Sequence, residues 1–469
     1  MYNKNMDNFS QPQQPRRVQP LQRAPQPQPQ PTQPPQPSAK AEEPSISFSD
    51  GPSQVGAKDH KPLIAGIICL ILGIILGGVG IFCFFKFVKQ PTECPQCDCA
   101  KSNEPISPEV NLSFLKLENN SNNMLYSPLS IRYGLSLLSS GASGETATEI
   151  ENVLGDTEIP TYQNEADTLS LANAVFINNS FKDSVLPEYI STVESQYNSE
   201  VIYDSFDSSS TMDNWVDQKT FGLIKSIGLD VDSKVEMVLA NALAIQMPWQ
   251  DGFNEVGTND DPFYYENNEE EDVETMHKST SDEDIKYTVN DEITVLSMPL
   301  AKTEAGVQLE FDAIMPANSL SSYIENLNLD DINTILDNTT SASTQDDGIE
   351  ISIPKFKFDY KLNFEDDLKS LGINSAFKDN ADFSKMASES LYVSEASHLA
   401  TIEFSEGGIK AAAVTSFSMM DTALAPSTPL EVTINHPFLF LIRDKSNGAI
   451  WFIGTVYQPS FEESSSTSE

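Results

Sequence analysis

Four histidines, His60, His277, His398 and His436, are all that the chain offers for acid–base work near neutral pH. No elbow pattern around a serine accompanies any of them, which argues against a Ser-His-Asp hydrolase. All five cysteines fall between residues 69 and 99, so the long region downstream has neither a thiol nucleophile nor a disulfide framework. Cys94, Cys97 and Cys99, in Glu-Cys-Pro-Gln-Cys-Asp-Cys, lack the nearby His that would complete a zinc set; disulfides, including ones between chains, fit them better. No catalytic, metal or cofactor site follows. What remains is a conformational device, the stretch Glu406-Gly407-Gly408-Ile409-Lys410-Ala411-Ala412-Ala413-Val414-Thr415.

Two adjacent glycines let the backbone swivel at the join, and the small residues after them can be loop in one state and strand in another. As a strand, Ile409, Ala411, Ala413, Thr415, Phe417 and Met419 share one face, and Lys410, Ala412, Val414, Ser416 and Ser418 the other. An edge strand running into a loop would carry the same pattern. The elements around the stretch must therefore decide.

Those elements come in unequal blocks along the 469 residues. Residues 1–60 are rich in Pro and Gln, above all from Pro20 to Pro37, and hold too few apolar residues to order; a disordered, partly polyproline-II spacer is expected. Leu63 to Phe85 is an apolar run bracketed by Lys61 and Lys86, long enough to cross a bilayer as a helix. It begins too far into the chain, and is too long, for a cleaved signal peptide. Gly73 and Gly77 form a small-xxx-small pair through which two such helices could approach as a homodimer. The basic tail and the acidic downstream region favour an amino end inside and a carboxyl end outside. Residues 86–107 form a cysteine-containing linker. The net charge of -41 argues against nucleic acid and anionic membrane surfaces as partners.

From Pro108 to Pro459 the pattern is globular, with residues 460–469 as a disordered tail. Ser127-Pro128-Leu129-Ser130 opens a capped amphipathic helix. Further helices are predicted over Glu145–Leu154, Leu186–Tyr197, Met212–Ile227 and Phe364–Leu371. Strands are predicted over Leu169–Phe176, Val235–Met247, Gln308–Met315, Glu350–Phe358, Leu399–Phe404, Leu430–Ile434, Phe438–Arg443 and Ala449–Val456, with Glu266–Glu274 an acidic loop or hairpin. Helices precede strands without regular alternation, which indicates an α+β fold.

Several ordered segments of this region resemble the serpin family. Asn123–Ile131 is similar to the family's early helix motif and Leu239–Trp249 to its central strand and tryptophan segment. Ile353–Lys357, Leu371–Ile373 and Ala381–Ser384 match later blocks, Val432–Ile442 the C-terminal signature, and Gly454 lies in the final strand. The resemblance implies three sheets, eight or nine helices and an exposed reactive loop offered to a protease. After cleavage the loop inserts into the central sheet and drags the acylated protease with it, an instance of strand addition and stored-strain release. Glu406–Gly408 then match the hinge, although inhibitors usually carry Thr or Ser where this chain has Ile409. Ser127, Ser130, Asn241 and His398 fall on the shutter cluster and Trp249 on the breach tryptophan.

Counted forward from Glu406 at the family's spacing, the scissile bond joins Thr422 to Ala423, with Met420, Asp421 and Leu424 as alternatives. Counting back from the signature lands near Pro426, a poor cleavage site. No Lys or Arg occurs between Lys410 and Arg443, which disfavours trypsin-like targets and favours elastase-like or chymotrypsin-like serine proteases, or a cysteine protease. The short acidic segment between Gly155 and Leu169 stands where heparin-activated relatives place a basic helix, which argues against heparin. Competing readings are a non-inhibitory serpin with a carrier, chaperone or storage role, and a surface adhesion protein.

Overall fold

The computed structural model describes residues 110–155, 158–229, 231–232, 234–410 and 428–461. The expected tail, membrane span, cysteines and candidate scissile bonds lie outside these, as do Ala411–Thr415. No helix among the described residues is long and apolar enough to cross a membrane.

Eight α-helices and four hydrogen-bonded sheets make an α+β fold among the described residues, one sheet more than the resemblance implies because the third system is in two pieces. The centre is a seven-stranded sheet ordered Met124–Tyr126, Ile450–Val456, Phe438–Asp444, Leu309–Pro316, Ile293–Pro299, Lys286–Val289 and Thr340–Ser341. Ile450–Val456 and Phe438–Asp444 are apolar along nearly their whole length because both faces of this sheet are covered. One face packs with the helices Val110–Leu117, Pro128–Gly141 and Leu320–Asn326, and the other with aromatic residues such as Phe311, Phe356, Phe404 and Phe440. Gly454 is flanked within this sheet by Met124–Tyr126 and Phe438–Asp444: a Cβ there would stand 2.3 Å from the Met124 carbonyl and 2.7 Å from the Phe440 ring.

A four-stranded sheet runs Leu430–Thr433, Ile349–Pro354, Glu270–Thr280 and Asn259–Tyr264, with only the first pair parallel. Its acidic strands Asn259–Tyr264 and Glu270–Thr280 form a hairpin, and Glu266–Glu274, read from the sequence as an acidic loop or hairpin, covers its turn and the start of its second strand. The third system is split. Ser199–Asp204, Leu169–Asn178 and Met237–Ile245 form one half, and Phe356–Asn363, Ser397–Ser405, Gly408–Ile409 and Met247–Pro248 the other.

The capped helix begins where predicted: the Ser127 hydroxyl accepts from Ser130 N–H, Pro128 occupies the first turn, and the helix spans Pro128–Gly141. Three expectations change. Val235–Met247 is a strand only over Met237–Ile245, and Met247 belongs to a second strand, Met247–Pro248, in the other half of the split sheet. Met212–Ile227 is helical only over Ser210–Lys219. Thr220 ends it by donating its hydroxyl to Val216 O (2.7 Å) and accepting from Ile224 N (3.0 Å), and the left-handed backbone of Phe221 and Gly222 turns the chain away. Glu350–Phe358 is not one strand but two, Ile349–Pro354 and Phe356–Asn363, in different sheets. Pro354 supplies no backbone donor to continue the ladder, and Lys355 marks the crossing.

Gly454→Ala is expected to destabilise the protein by about 2 kcal/mol, because the contact is with backbone and a rigid ring. Gly134→Ala, in a helix with nothing within 4 Å of the added Cβ, is expected to stabilise it by about 0.5 kcal/mol. Urea unfolding followed by circular dichroism measures both.

Candidate functional site

The site lies between the two halves of the split sheet. Strand Met237–Ile245 pairs with Leu169–Asn178 on one edge, and Ser397–Ser405 pairs with Phe356–Asn363 on one edge. Among the described residues neither makes a ladder to the other. A cleft of about 190 Å³ opens here, walled by Leu243–Ile245 and Thr401–Glu403, with Ile442 and Phe452 also lining it. Gly222–Lys225, the segment after the shortened helix, also lines it, with Lys357, Asp359, Ile409 and Lys410.

The top of the cleft is closed by Gly408–Ile409. Glu406 and Gly407 make a two-residue turn that folds this strand back on Ser397–Ser405, pairing Ser405 with Gly408 and Phe404 with Ile409. Its other edge pairs with Met247–Pro248. At Gly408 a Cβ would meet the Met247 carbonyl at 2.3 Å and φ is +145°, so glycine is required by both space and backbone. Ile409 is 3% exposed, its side chain in the core shared with Phe404, Phe311 and Trp249. Lys410 has φ 37° and donates its N–H to Glu403 O (2.7 Å), one step beyond the Phe404–Ile409 pair.

The turn is held from several sides. Trp249 N–H donates to Gly407 O and Phe253 N–H to Glu406 O, both at 3.0 Å. The Trp249 indole N–H donates to Ser405 O at 2.9 Å while its ring lies edge-on to Phe404 and Phe311. The Glu406 carboxylate, almost buried, accepts from Thr258 Oγ1 (2.7 Å) and faces Lys355 Nζ at 3.4 Å. Burial and the ammonium groups of Lys357 and Lys225 together push the pKa of Lys410 down, only partly offset by Glu403.

A second polar cluster joins the two halves. His398, on Ser397–Ser405, accepts Ser127 N–H at its Nε2 (3.0 Å), which fixes the proton on Nδ1. The Ser127 hydroxyl caps Ser130 N–H, and the Ser130 hydroxyl donates to Asn241 Oδ1 on Met237–Ile245. Asn241 then donates to Asn173 Oδ1 (2.8 Å), and Asn173 to the Tyr197 carbonyl (2.9 Å). The helix end thus bridges strands that have no ladder between them. Asn173 and Tyr197 were not singled out from the sequence, although Asn173 sits directly opposite Asn241 in the strand register.

The four predicted cluster residues, Ser127, Ser130, Asn241 and His398, come together in one chain of hydrogen bonds, and Trp249 packs on the hinge. The region from 112 to 459 matches the family described as Serpin (serine protease inhibitor). The chain belongs to the serpin family. It is 30% identical over 366 residues to Serpin-Z1B of Triticum aestivum, covering 72% of this chain and 90% of that protein. It is 29% identical to the Leukocyte elastase inhibitor of Xenopus tropicalis, covering 73% and 95% respectively. Among solved structures, the thermophilic serpin tengpin in its native state superposes with a TM-score of 0.64 at 27% identity, over 79% of this chain and 97% of that one. Uncleaved ovalbumin, at 23% identity and a TM-score of 0.63, shares the fold over 75% of this chain and 98% of its own.

Burial lowers the pKa of His398 in this serpin to about 4. Protonation would turn its acceptor nitrogen into a donor facing another N–H. Because the folded value lies below the unfolded one, near 6.5, the stability contributed by the neutral ring is present above pH 6.5. It is lost as pH falls from 6.5 towards 4, by about 3 kcal/mol. Asp312 and Asp367, whose pKa values burial raises to about 6, slope the opposite way. The comparison with His398→Gln isolates the histidine: urea midpoints measured from pH 7.5 to pH 4 are expected to fall less steeply in the variant.

Proposed function

We propose that this serpin traps a serine or cysteine protease of elastase-like or chymotrypsin-like specificity, using the segment after Lys410 as bait. The observation that carries this reading is the open cleft with the hinge strand already seated at its top. Gly408–Ile409 runs antiparallel to both neighbours, so continuing it downward brings each following residue between two edges that lack a ladder partner. Ala411, Ala413 and Thr415 would follow Ile409 on the inward face and are small enough to pass.

In the reaction the protease nucleophile attacks the carbonyl carbon at Thr422, the amine of Ala423 leaves, and an acyl-enzyme remains on the new end. Each added backbone hydrogen bond contributes about 1 kcal/mol. A strand of about a dozen residues bonded on both edges gains on the order of 10 kcal/mol, as much as the whole stability of a typical domain. That gain supplies the work of moving the tethered protease before water completes hydrolysis.

The Lys-poor stretch to Arg443 sets the specificity class. Residues 63–85 would anchor the protein in a membrane with the serpin domain outside. Gly73 and Gly77, or Cys94, Cys97 and Cys99, would offer homodimer contacts there. Heparin is not expected to activate it.

Incubation with elastase, chymotrypsin, subtilisin and a papain-like protease is expected to yield an SDS-stable complex with at least one of them. Cleaved protein without complex in every case would overturn the proposal in favour of a carrier, chaperone, storage or adhesion role. Ala413→Glu would have to carry a carboxylate between the two strand edges during insertion, a cost of several kcal/mol, while leaving the seated Gly408–Ile409 untouched. It is therefore expected to turn the inhibitor into a substrate, giving cleaved protein in place of complex on the same gels. Ile409→Thr is expected to keep complex formation.

A further inference from the structure

The last strand ends at Val456, and the chain then crosses to the hinge. The Asn123 carboxamide clamps it, accepting from Tyr457 N (2.7 Å) and Gln458 N (2.9 Å) and donating to Gln458 O (2.7 Å). Two residues further, Ser460 O accepts Lys357 N–H at 2.7 Å, and the Phe461 ring lies over Lys355 Nζ, 4.1 Å from its centroid. These are the first two residues of what the sequence suggests is a disordered tail; residues 462–469 lie outside the described set.

Lys355 is the residue at which the chain passes from one sheet to another, and its backbone is fixed by donation to Glu274 O (2.8 Å). Its ammonium, with a side chain only 12% exposed, stands between the Glu406 carboxylate (3.4 Å) and that of Glu274 (3.6 Å). Glu406 opens the hinge turn. We propose that Phe461 is a positioning residue for the hinge: by capping Lys355 it holds the ammonium against Glu406 and keeps Gly408–Ile409 seated.

The physical reason is twofold. A cation over an aromatic face is attracted by the ring's quadrupole, most strongly where both are shielded from water. The ring also excludes solvent from one side of a partly buried ion pair, lowering the local dielectric and strengthening the attraction to Glu406. Without the ring, a long flexible lysine would exchange part of that contact for water. Glu406 would keep Thr258, but its carboxylate would lose its cation.

The inference concerns the resting hinge and holds whether or not a protease is trapped, so its test reads the hinge directly. Amide hydrogen exchange is measured on the full chain at Trp249, Phe253 and Lys410, whose N–H groups bond to Gly407, Glu406 and Glu403. Phe461→Ala is expected to speed exchange at these amides about fivefold, the factor for roughly 1 kcal/mol. Phe440, deep in the seven-stranded sheet, reports any global loss of stability and is expected not to change. Lys355→Met is expected to give a comparable increase, and Phe461→Ala added to it no further one. Phe461→Trp is expected to restore the original rate.

Unchanged exchange in Phe461→Ala, equal acceleration at Phe440, or factors that multiply in the double variant would each overturn the proposal. A protein that forms no protease complex yet shows the expected exchange pattern would sink the inhibitory reading and leave the strap standing.

Discussion

Two strand edges that lack ladder partners face each other across one sheet, and everything else around the site is arranged to keep them so. Backbone N–H and C=O groups lose free energy when buried without partners, so the facing edges of Met237–Ile245 and Ser397–Ser405 are a standing drive towards either closing on each other or taking in a strand. The bottom is latched by side chains, from His398 through Ser127 and Ser130 to Asn241. The top is plugged by the chain itself, with Ile409 in the core and Lys410 lining the cleft. Both fastenings are local and polar or small. They can yield without unfolding the seven-stranded sheet behind them.

The cations follow the same logic. The chain has only 28 Lys and Arg against 69 acids, yet Lys225, Lys278, Lys355, Lys357 and Lys410 gather around the cleft and hinge. Lys278 binds the Asp251 carboxylate and the Gly252 carbonyl, fixing the segment that donates Phe253 N–H to the hinge turn. Lys357 pairs with Glu403 at 3.2 Å, the residue whose carbonyl accepts Lys410 N–H. In a strongly acidic domain such placement gives the hinge local attraction where most of the surface repels itself.

Much of this was legible in the sequence because the signals were local. Ser-Pro at 127–128 marked a helix start, Gly155 a helix end, and period-2 or continuous apolar runs marked most strands. The resemblance supplied the residues of the cluster, which no periodicity could have joined, since His398 and Ser127 lie far apart in the chain. The seating of Ile409 was not legible. Its neighbours Gly408 and Lys410 fit equally well a strand end or a loop start, and only the pairing with Met247–Pro248 decides. The strand break at Lys355 was hidden because Ile353-Pro-Lys-Phe reads as one apolar alternation, although Pro354 removes the donor that would have continued it. Asn173 carries no local signal of its role, because its register opposite Asn241, which continues the cluster, is fixed only by the pairing of two distant strands.

The central claim is that the resting protein keeps a strand's worth of stabilisation unrealised. Thermal unfolding of the intact protein beside the same protein nicked once between residues 411 and 427 tests it most directly. Insertion gaining on the order of 10 kcal/mol raises the midpoint by about 20 °C or more. An unchanged or lowered midpoint after nicking would show that the cleft does not take the strand, and would contradict the account.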